Sequence, residues 1–233
     1  ADIIDANNQH ICMIVQEQST VSTISVAANL FIGKEHMFVR GGVVNRRKME
    51  HAAQKALDDV GITHIRPKEL TRYLSFEDRK LLEIARAFYM KPKLLIVDET
   101  TTALSRQGRE LLYSLMVRLC KEGGSVLFIS HDIDEVMDKS DAVTVLKDGV
   151  MTATLEKAEF SEQKIRNLMV GREISGDYYR TDWECSYENE VVLKAENISY
   201  GLLRNVTVEL HKGEILGIGG LTECGMHDLG KLM

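Results

Sequence analysis

No apolar run in this chain approaches the ~18 residues of a membrane-spanning helix. The N-terminal stretch also lacks the basic-then-apolar pattern of a secretory signal. The expectation is a cytoplasmic chain whose membrane role, where it has one, is peripheral. A basic surplus is missing too: 29 Lys and Arg stand against 35 Asp and Glu, a formal net charge of −6. Nucleic-acid binders usually carry a basic footprint, so nucleic acid is not an expected partner. Cysteine is scarce. Cys12, Cys120, Cys185 and Cys224 are too far apart for a CxxC pair or a zinc knuckle, and they read as small buried hydrophobes in a reducing compartment. What is present is the balance of a globular protein, 44% apolar and 27% charged over 233 residues. Disordered, collagen-like and disulfide-stapled classes are excluded.

Short apolar runs alternate with helical patterns, the signature of an α/β protein with a mostly parallel sheet. The strand candidates are Ile11 to Val15, Leu94 to Val97, Val126 to Ile129, Ala142 to Leu146, Val191 to Ile198 and Ile215 to Ile218. Met49, Ala52, Ala53, Ala56, Leu57 and Val60 repeat at helical spacing, with Asn45 placed to cap the start and Gly61 just past the end. Further helices are expected over roughly 77–90, 109–120, 133–138 and 161–169. Residues 173–190 hold six acids, one Arg and four aromatics without periodicity, and read as an ordered linker. From Val191 a fresh strand-rich pattern runs for only 43 residues to Met233, near the lower limit for independent folding. The chain reads as cut.

The strongest chemical feature is the strand Leu94 to Val97 ending in Asp98 and Glu99. Carboxylates at the C-terminal edge of a parallel sheet sit where α/β sites form. In phosphate-cleaving sites one carboxylate positions hydrated Mg²⁺ and another polarises water. A second buried strand, Val126 to Ile129, delivers His131 to the same edge, and Ile11 to Val15 ends in Gln16, an uncharged oxygen ligand. Ser75 is placed to cap the helix that leads into the Asp98 strand, with backbone N–H groups behind it that could face an anion.

With these residues assembled, the chain resembles the ATP-binding subunits of ABC transporters, specifically the tandem-domain subunits of simple-sugar importers. Ile14-Val15-Gln16-Glu17 is similar to the Q-loop, Leu74-Ser75-Phe76-Glu77-Asp78 lies where the signature belongs, and Leu95 to Glu99 resembles Walker B with its glutamate. Thr102-Ala103-Leu104-Ser105 resembles the D-loop and His131 the switch histidine. The resemblance implies a P-loop NTPase core with a helical subdomain at about 30–85 and an antiparallel side sheet. It implies ATP and Mg²⁺ as cofactors, with Asp98 and Gln16 on the metal, Glu99 activating water and His131 at the γ-phosphate. It also implies permease subunits as partners, a solute-binding protein indirectly, and a second nucleotide-binding domain. The cytoplasmic face of the membrane is the implied location.

The pattern also breaks. No Walker A loop precedes Gln16, so 1–172 reads as a first nucleotide-binding domain without that portion, 173–190 as linker, and 191–233 as the start of a second. There Gly220 and Gly225 keep the GxxxxG frame, but Met226 and His227 replace the Lys and Ser/Thr that hold phosphate and Mg²⁺. In the signature, Phe76 and Glu77 stand where small residues are usual, and Thr100 replaces the proline after Walker B, which is expected to loosen that turn. The complete protein is expected to hold one competent and one degenerate site. A catalytically dead scaffolding module and a non-transport tandem ATPase on the ribosome are the alternatives; the acidic linker disfavours the latter. Finally, Ile215 to Ile218 is expected to fill a slot beside Val126 to Ile129, in cis or by swapping. Val191 to Ile198 and Val206 to Leu210 would supply the side sheet, giving one hybrid domain.

Overall fold

The caps written in the sequence set the helix starts. In the computed structural model, which describes residues 3–170, 187–220 and 224–233, the Asn45 side chain accepts from the Lys48 amide and opens a 14-residue helix. In chain order the first elements are helix α1 (Ile3–Asn8), strand β1 (Ile11–Ile14), α2 (Val26–Leu30), the short hairpin β2 (Val39–Arg40) and β3 (Val43–Val44), and α3 (Arg46–Asp59). Then come α4 (Phe76–Tyr89), β4 (Leu94–Asp98), α5 (Arg106–Lys121), β5 (Ser125–Ile129), α6 (Ile133–Lys139), β6 (Ala142–Lys147), β7 (Val150–Glu156) and α7 (Glu162–Val170). The remaining elements are β8 (Val191–Ile198), β9 (Val206–His211) and α8 (Met226–Leu232). The chain divides into two units, Ala1–Glu173 and Ile174–Met233.

In the first unit β1, β4 and β5 form a parallel sheet in the order β1-β4-β5. Alternation assigns its two faces. Cys12, Ile14, Leu95 and Val97 are buried and join one core with Leu81, Leu82, Ile84 and Ala85 of α4 and Leu112, Leu115 and Leu119 of α5. That core runs without a break into the helical region, where the Phe31 ring packs tilted against Phe38 at 4.6 Å and edge-to-face against Tyr89 at 5.0 Å between centroids. A separate cluster of Val143, Val145, Leu155 and Ile165 joins the β6–β7 hairpin to α7. Asp148 and Gly149, both at positive φ, make its two-residue turn.

In the second unit β8 and β9 pair antiparallel, and Lys194 bridges Glu196 and Glu209 at 2.7 and 2.8 Å. Both carboxylates lie in reach of one ammonium, which drives the Lys194 pKa up.

Three expectations are corrected. Ile215 to Ile218 forms no strand; Ile215 is 78% exposed, and β5 pairs with β4 alone among the described strands. Insertion of Ile215 to Ile218 as a strand beside β5 of the same chain is therefore not observed. Leu127 and Ile129 of β5 are exposed, so the sheet next to the expected slot is open on one face and not a buried cleft. Glycines at 217, 219 and 220 weaken the candidate strand further. Of the cysteines, Cys12 is buried, but Cys120 and Cys224 are exposed; Cys120 lies outside the buried stripe of Leu112, Leu115 and Leu119 on α5. Cys185 and most of the expected linker lie outside the described residues.

Candidate functional site

Parallel pairing aligns the C-terminal ends of three strands, and that alignment builds the site. Asp98 is in register with Ile129, and Ile14 with Val97, so Gln16, Glu99 and His131 emerge together. The Glu99 carboxylate is the hub. Gln16 donates its amide Nε2 to Glu99 Oε2 at 2.7 Å, and His131 Nδ1 lies 3.3 Å from Glu99 Oε1. Glu99 adopts a left-handed conformation, φ 41°, which costs an ordinary residue about 1 kcal/mol. Two bonds hold it there: its amide donates to Ile129 O at 3.0 Å, and Thr102 Oγ1 donates to its carbonyl at 2.9 Å. Strain fixed in this way at a strand end is a mark of functional sites.

Thr100 does not loosen the turn, contrary to expectation. It is fully buried, and its hydroxyl lies 3.4 Å from Ile14 O and 3.2 Å from Asp98 O. A proline has no such donor, so threonine ties the turn to β1 instead of stiffening it.

The switch-histidine loop is tied to the same turn through Glu135, a residue the sequence reading missed. Its carboxylate accepts from Thr101 Oγ1 at 3.0 Å and Ser130 Oγ at 2.8 Å, and from the Tyr113 hydroxyl. Burial pushes its pKa above the ordinary value; the Thr101 hydrogen bond and the charges of Arg109 and Lys139 pull the other way without winning. The pattern Asp132-x-x-Glu135 was legible as a helix start, but its side-chain partners come from α5 and the turn after β4.

Ser75 caps α4 by accepting from the Asp78 amide at 3.0 Å. The Glu77 and Asp78 side chains are turned into protein contacts. Glu77 Oε1 accepts from Ser105 N at 3.0 Å and Ser105 Oγ at 2.6 Å, and Asp78 Oδ1 meets His64 Nε2 at 2.7 Å. Glu77 thus stabilises the start of α5, and Gly108 leaves it room: a Cβ there would stand 2.5 Å from Glu77 Oε1.

Gly220 and Gly225 lie in the second unit. Gly225 opens α8 at φ 92°, packed so that an added Cβ would sit 3.0 Å from Leu203 Cδ2. Leu221 to Glu223 are outside the described residues. With Met226 on a seven-residue helix where lysine belongs, these residues do not fit a triphosphate. The other site fits Mg²⁺ better. Among the described residues no cluster of three or more His, Cys, Asp or Glu could cage a metal, yet Mg²⁺ typically takes only one or two carboxylates and keeps water and phosphate as other ligands. Asp98, half-buried at the end of β4, and Gln16, two residues past β1, carry hard-oxygen donors of the type Mg²⁺ takes.

Residues 2–102 match the family described as ABC transporter. Ribose import ATP-binding protein RbsA 3 of Rubrobacter xylanophilus is 37% identical over 95% of this chain and 44% of its own length. Its counterpart RbsA 1 from Burkholderia cenocepacia is 34% identical over 98% of this chain and again 44% of its own length. The chain thus spans less than half the length of these curated relatives. Among solved structures, cbiO1 from Clostridium perfringens, part of the ABC transporter complex cbiONQ, superposes with a TM-score of 0.53 at 28% identity, over 70% of this chain and 65% of that one. A nucleotide-free ATP-binding cassette from an ABC transporter reaches 0.56 at 20% identity, over 72% and 71%, and speaks for the fold. Among the described residues no helix is long and apolar enough to cross a membrane. The sequence motifs, the parallel sheet and these relatives agree: the chain carries an ABC transporter domain, matched over residues 2–102, and is homologous to the ATP-binding subunits of sugar importers.

Proposed function

We propose that this chain is part of the ATP-hydrolysing motor of an importer for a simple sugar or similar small solute. The observation that carries the reading is the Gln16–Glu99–His131 cluster at the ends of adjacent parallel strands. In this reading the motor is peripheral on the cytoplasmic face of the membrane. It works on integral-membrane permease subunits, and through them with a solute-binding protein. Residues 1–172 belong to one nucleotide-binding domain and 191–233 begin a second, joined by 173–190.

Glu99 is the acceptor for the proton of the attacking water. Gln16 and His131 hold its two oxygens in place, which leaves a carboxylate lone pair to accept from the attacking water. Asp98 and Gln16 hold Mg²⁺, which when bound neutralises charge on the phosphate oxygens. In the protein carrying both halves, Glu99→Gln lowers ATP turnover by at least ~10²-fold while MgATP binding persists, since only the proton acceptor is lost. Turnover unchanged by that substitution would overturn the reading.

The chain of 233 residues carries no GxxxxGK[ST] sequence. Electrostatic stabilisation of the transferring phosphoryl group is the leading catalytic term, and the P-loop lysine supplies much of it. The chain alone therefore releases phosphate from ATP at background rate; turnover that disappears in Glu99→Gln refutes this. A scaffolding role draws on the engaged Glu77 and on Met226, and the Glu99→Gln experiment separates it, because a scaffold has no turnover to lose.

A further inference from the structure

The least economical feature of the first unit is a charged pair in its core. Lys80 of α4 is completely buried and Glu83 is 3% exposed, with 2.7 Å between Nζ and Oε2. Burying such a pair gains little over apolar residues of the same size. Its partners explain its place. Lys80 Nζ lies 2.9, 3.3 and 3.1 Å from the carbonyl oxygens of Val15, Gln16 and Glu17, three consecutive groups converging on one ammonium. The second oxygen of Glu83 accepts from Ser19 N at 2.5 Å. Arg86 reaches Ser19 Oγ at 2.6 Å, and Arg79 lies 3.4 Å from Gln18 Oε1.

One helix thus holds the irregular segment 15–19 by its carbonyls at one end and by an amide at the other. That helix is the one capped by Ser75. Gln16 is exposed, and no packing of its own side chain fixes the main chain that carries it.

We propose that Lys80, paired with Glu83, is a positioning residue for Gln16: it clamps the main chain of 15–17 so that the Gln16 amide stands on Glu99. This rests on the functional reading of Gln16 given above. It adds a rigid link between the start of α4 and the Glu99 hub, so a displacement of α4 is carried to Gln16. Lysine suits the task because an ammonium offers three donors from one atom, enough for the converging carbonyls and Glu83 when bonds are shared.

The test uses two double variants, since removing one member strands a buried charge and risks the fold. Lys80→Met/Glu83→Leu removes the Lys80 and Glu83 anchors yet keeps volume; Lys80→Gln/Glu83→Gln keeps hydrogen-bonding groups without charge. Amide hydrogen exchange on this chain is the first readout. In the Met/Leu variant exchange of amides 16–19 rises tenfold or more while β4 and α5 keep wild-type rates, and the Gln/Gln variant stays within threefold of wild type. Wild-type exchange at 16–19 in the Met/Leu variant overturns the proposal. So does a parallel rise everywhere, which marks the pair as mere core, or a Gln/Gln variant as fast as Met/Leu.

In the protein carrying both halves, Met/Leu lowers kcat ~10–100-fold, the scale expected for a misplaced site group, with KM for ATP within twofold. KM rising with kcat unchanged counts against positioning. Gln16→Ala is the reference: unchanged turnover there refutes the reading of Gln16, whereas the exchange result judges the clamp by itself.

Discussion

Several residues here act in ways their own type does not announce. Glycine inside a helix usually costs about 1 kcal/mol relative to alanine, so Gly108→Ala ought to stabilise α5. The structure reverses that sign. The new Cβ would stand 2.5 Å from Glu77 Oε1 and 3.2 Å from Leu104 Cδ2. Moving the Glu77 carboxylate breaks two bonds to Ser105, and bonds to a charged group are worth about 1.5–3 kcal/mol. The expected net loss for Gly108→Ala is about 1–2 kcal/mol, read by thermal or urea unfolding. In the Glu77→Ala background the same change becomes neutral or stabilising, because the closest obstacle is gone and the Leu104 side chain, at 3.2 Å, has only to give by a few tenths of an ångström. A loss of equal size in both backgrounds would show that Leu104, not Glu77, sets the penalty. The acid that interrupts the signature is thus a structural partner of the helix behind it.

At the scale of elements, the site is a junction of turns more than a set of strand ends. Glu135 joins the loop before α6, the turn after β4 and α5 through three hydroxyls. Its pKa is raised by burial, so the native state holds this proton to higher pH than the unfolded chain does. Below the unfolded pKa, near 4.5, both states are protonated and the group contributes nothing. Stability falls as pH rises from there through the raised folded value, beyond which the full penalty applies. Glu135→Gln keeps acceptor and shape without the charge. Its melting temperature should gain on wild type as pH rises above about 4.5; a difference constant with pH would contradict this.

These junctions also mark what the sequence could disclose. The runs 11–15, 94–97 and 126–129 and the 3.6-residue repeat of α3 were plain, because period and caps are local. Gln16, Glu99 and His131 followed, since a parallel sheet aligns its strand ends by construction. Lys80, Glu83 and Glu135 did not, because each takes its meaning from a carbonyl or hydroxyl on another element. Short α2 and the two-residue strands β2 and β3 carry too few positions to show a period. Ile215 to Ile218 misled for the opposite reason: its composition is that of a strand, and pairing depends on a neighbour that composition cannot supply.

The largest physical irregularity belongs to the whole first unit. All-parallel sheets normally have both faces covered. Here the register sets Met13, Ile96 and Leu127 side by side across one face, with Asp98 and Ile129 in the next row of that face. The opposite face is buried in the core, whereas Met13 is 49%, Leu127 52% and Ile129 42% exposed. Several large apolar side chains in one flat row form the kind of patch that a soluble monomer rarely leaves open. Beside it β5 offers an edge unpaired among the described strands, and an unpaired edge is a template for strand addition. Both features point to a chain that in its native, folded state binds a hydrophobic dye and associates as concentration rises. Leu127→Lys places a charge in the middle of the row and next to the edge, the device by which natural sheets protect themselves. That substitution buries no charge and leaves Val126 and Phe128 packed on the other face, so unfolding stability should change by less than about 0.5 kcal/mol. Dye fluorescence and the concentration-dependent sedimentation coefficient should both fall. Equal dye binding by wild type and Leu127→Lys, with equal stability, would mean that the row is covered in solution. Leu112→Lys, in the covered core, is the contrasting control: there the charge has no water to reach, and the unit should unfold.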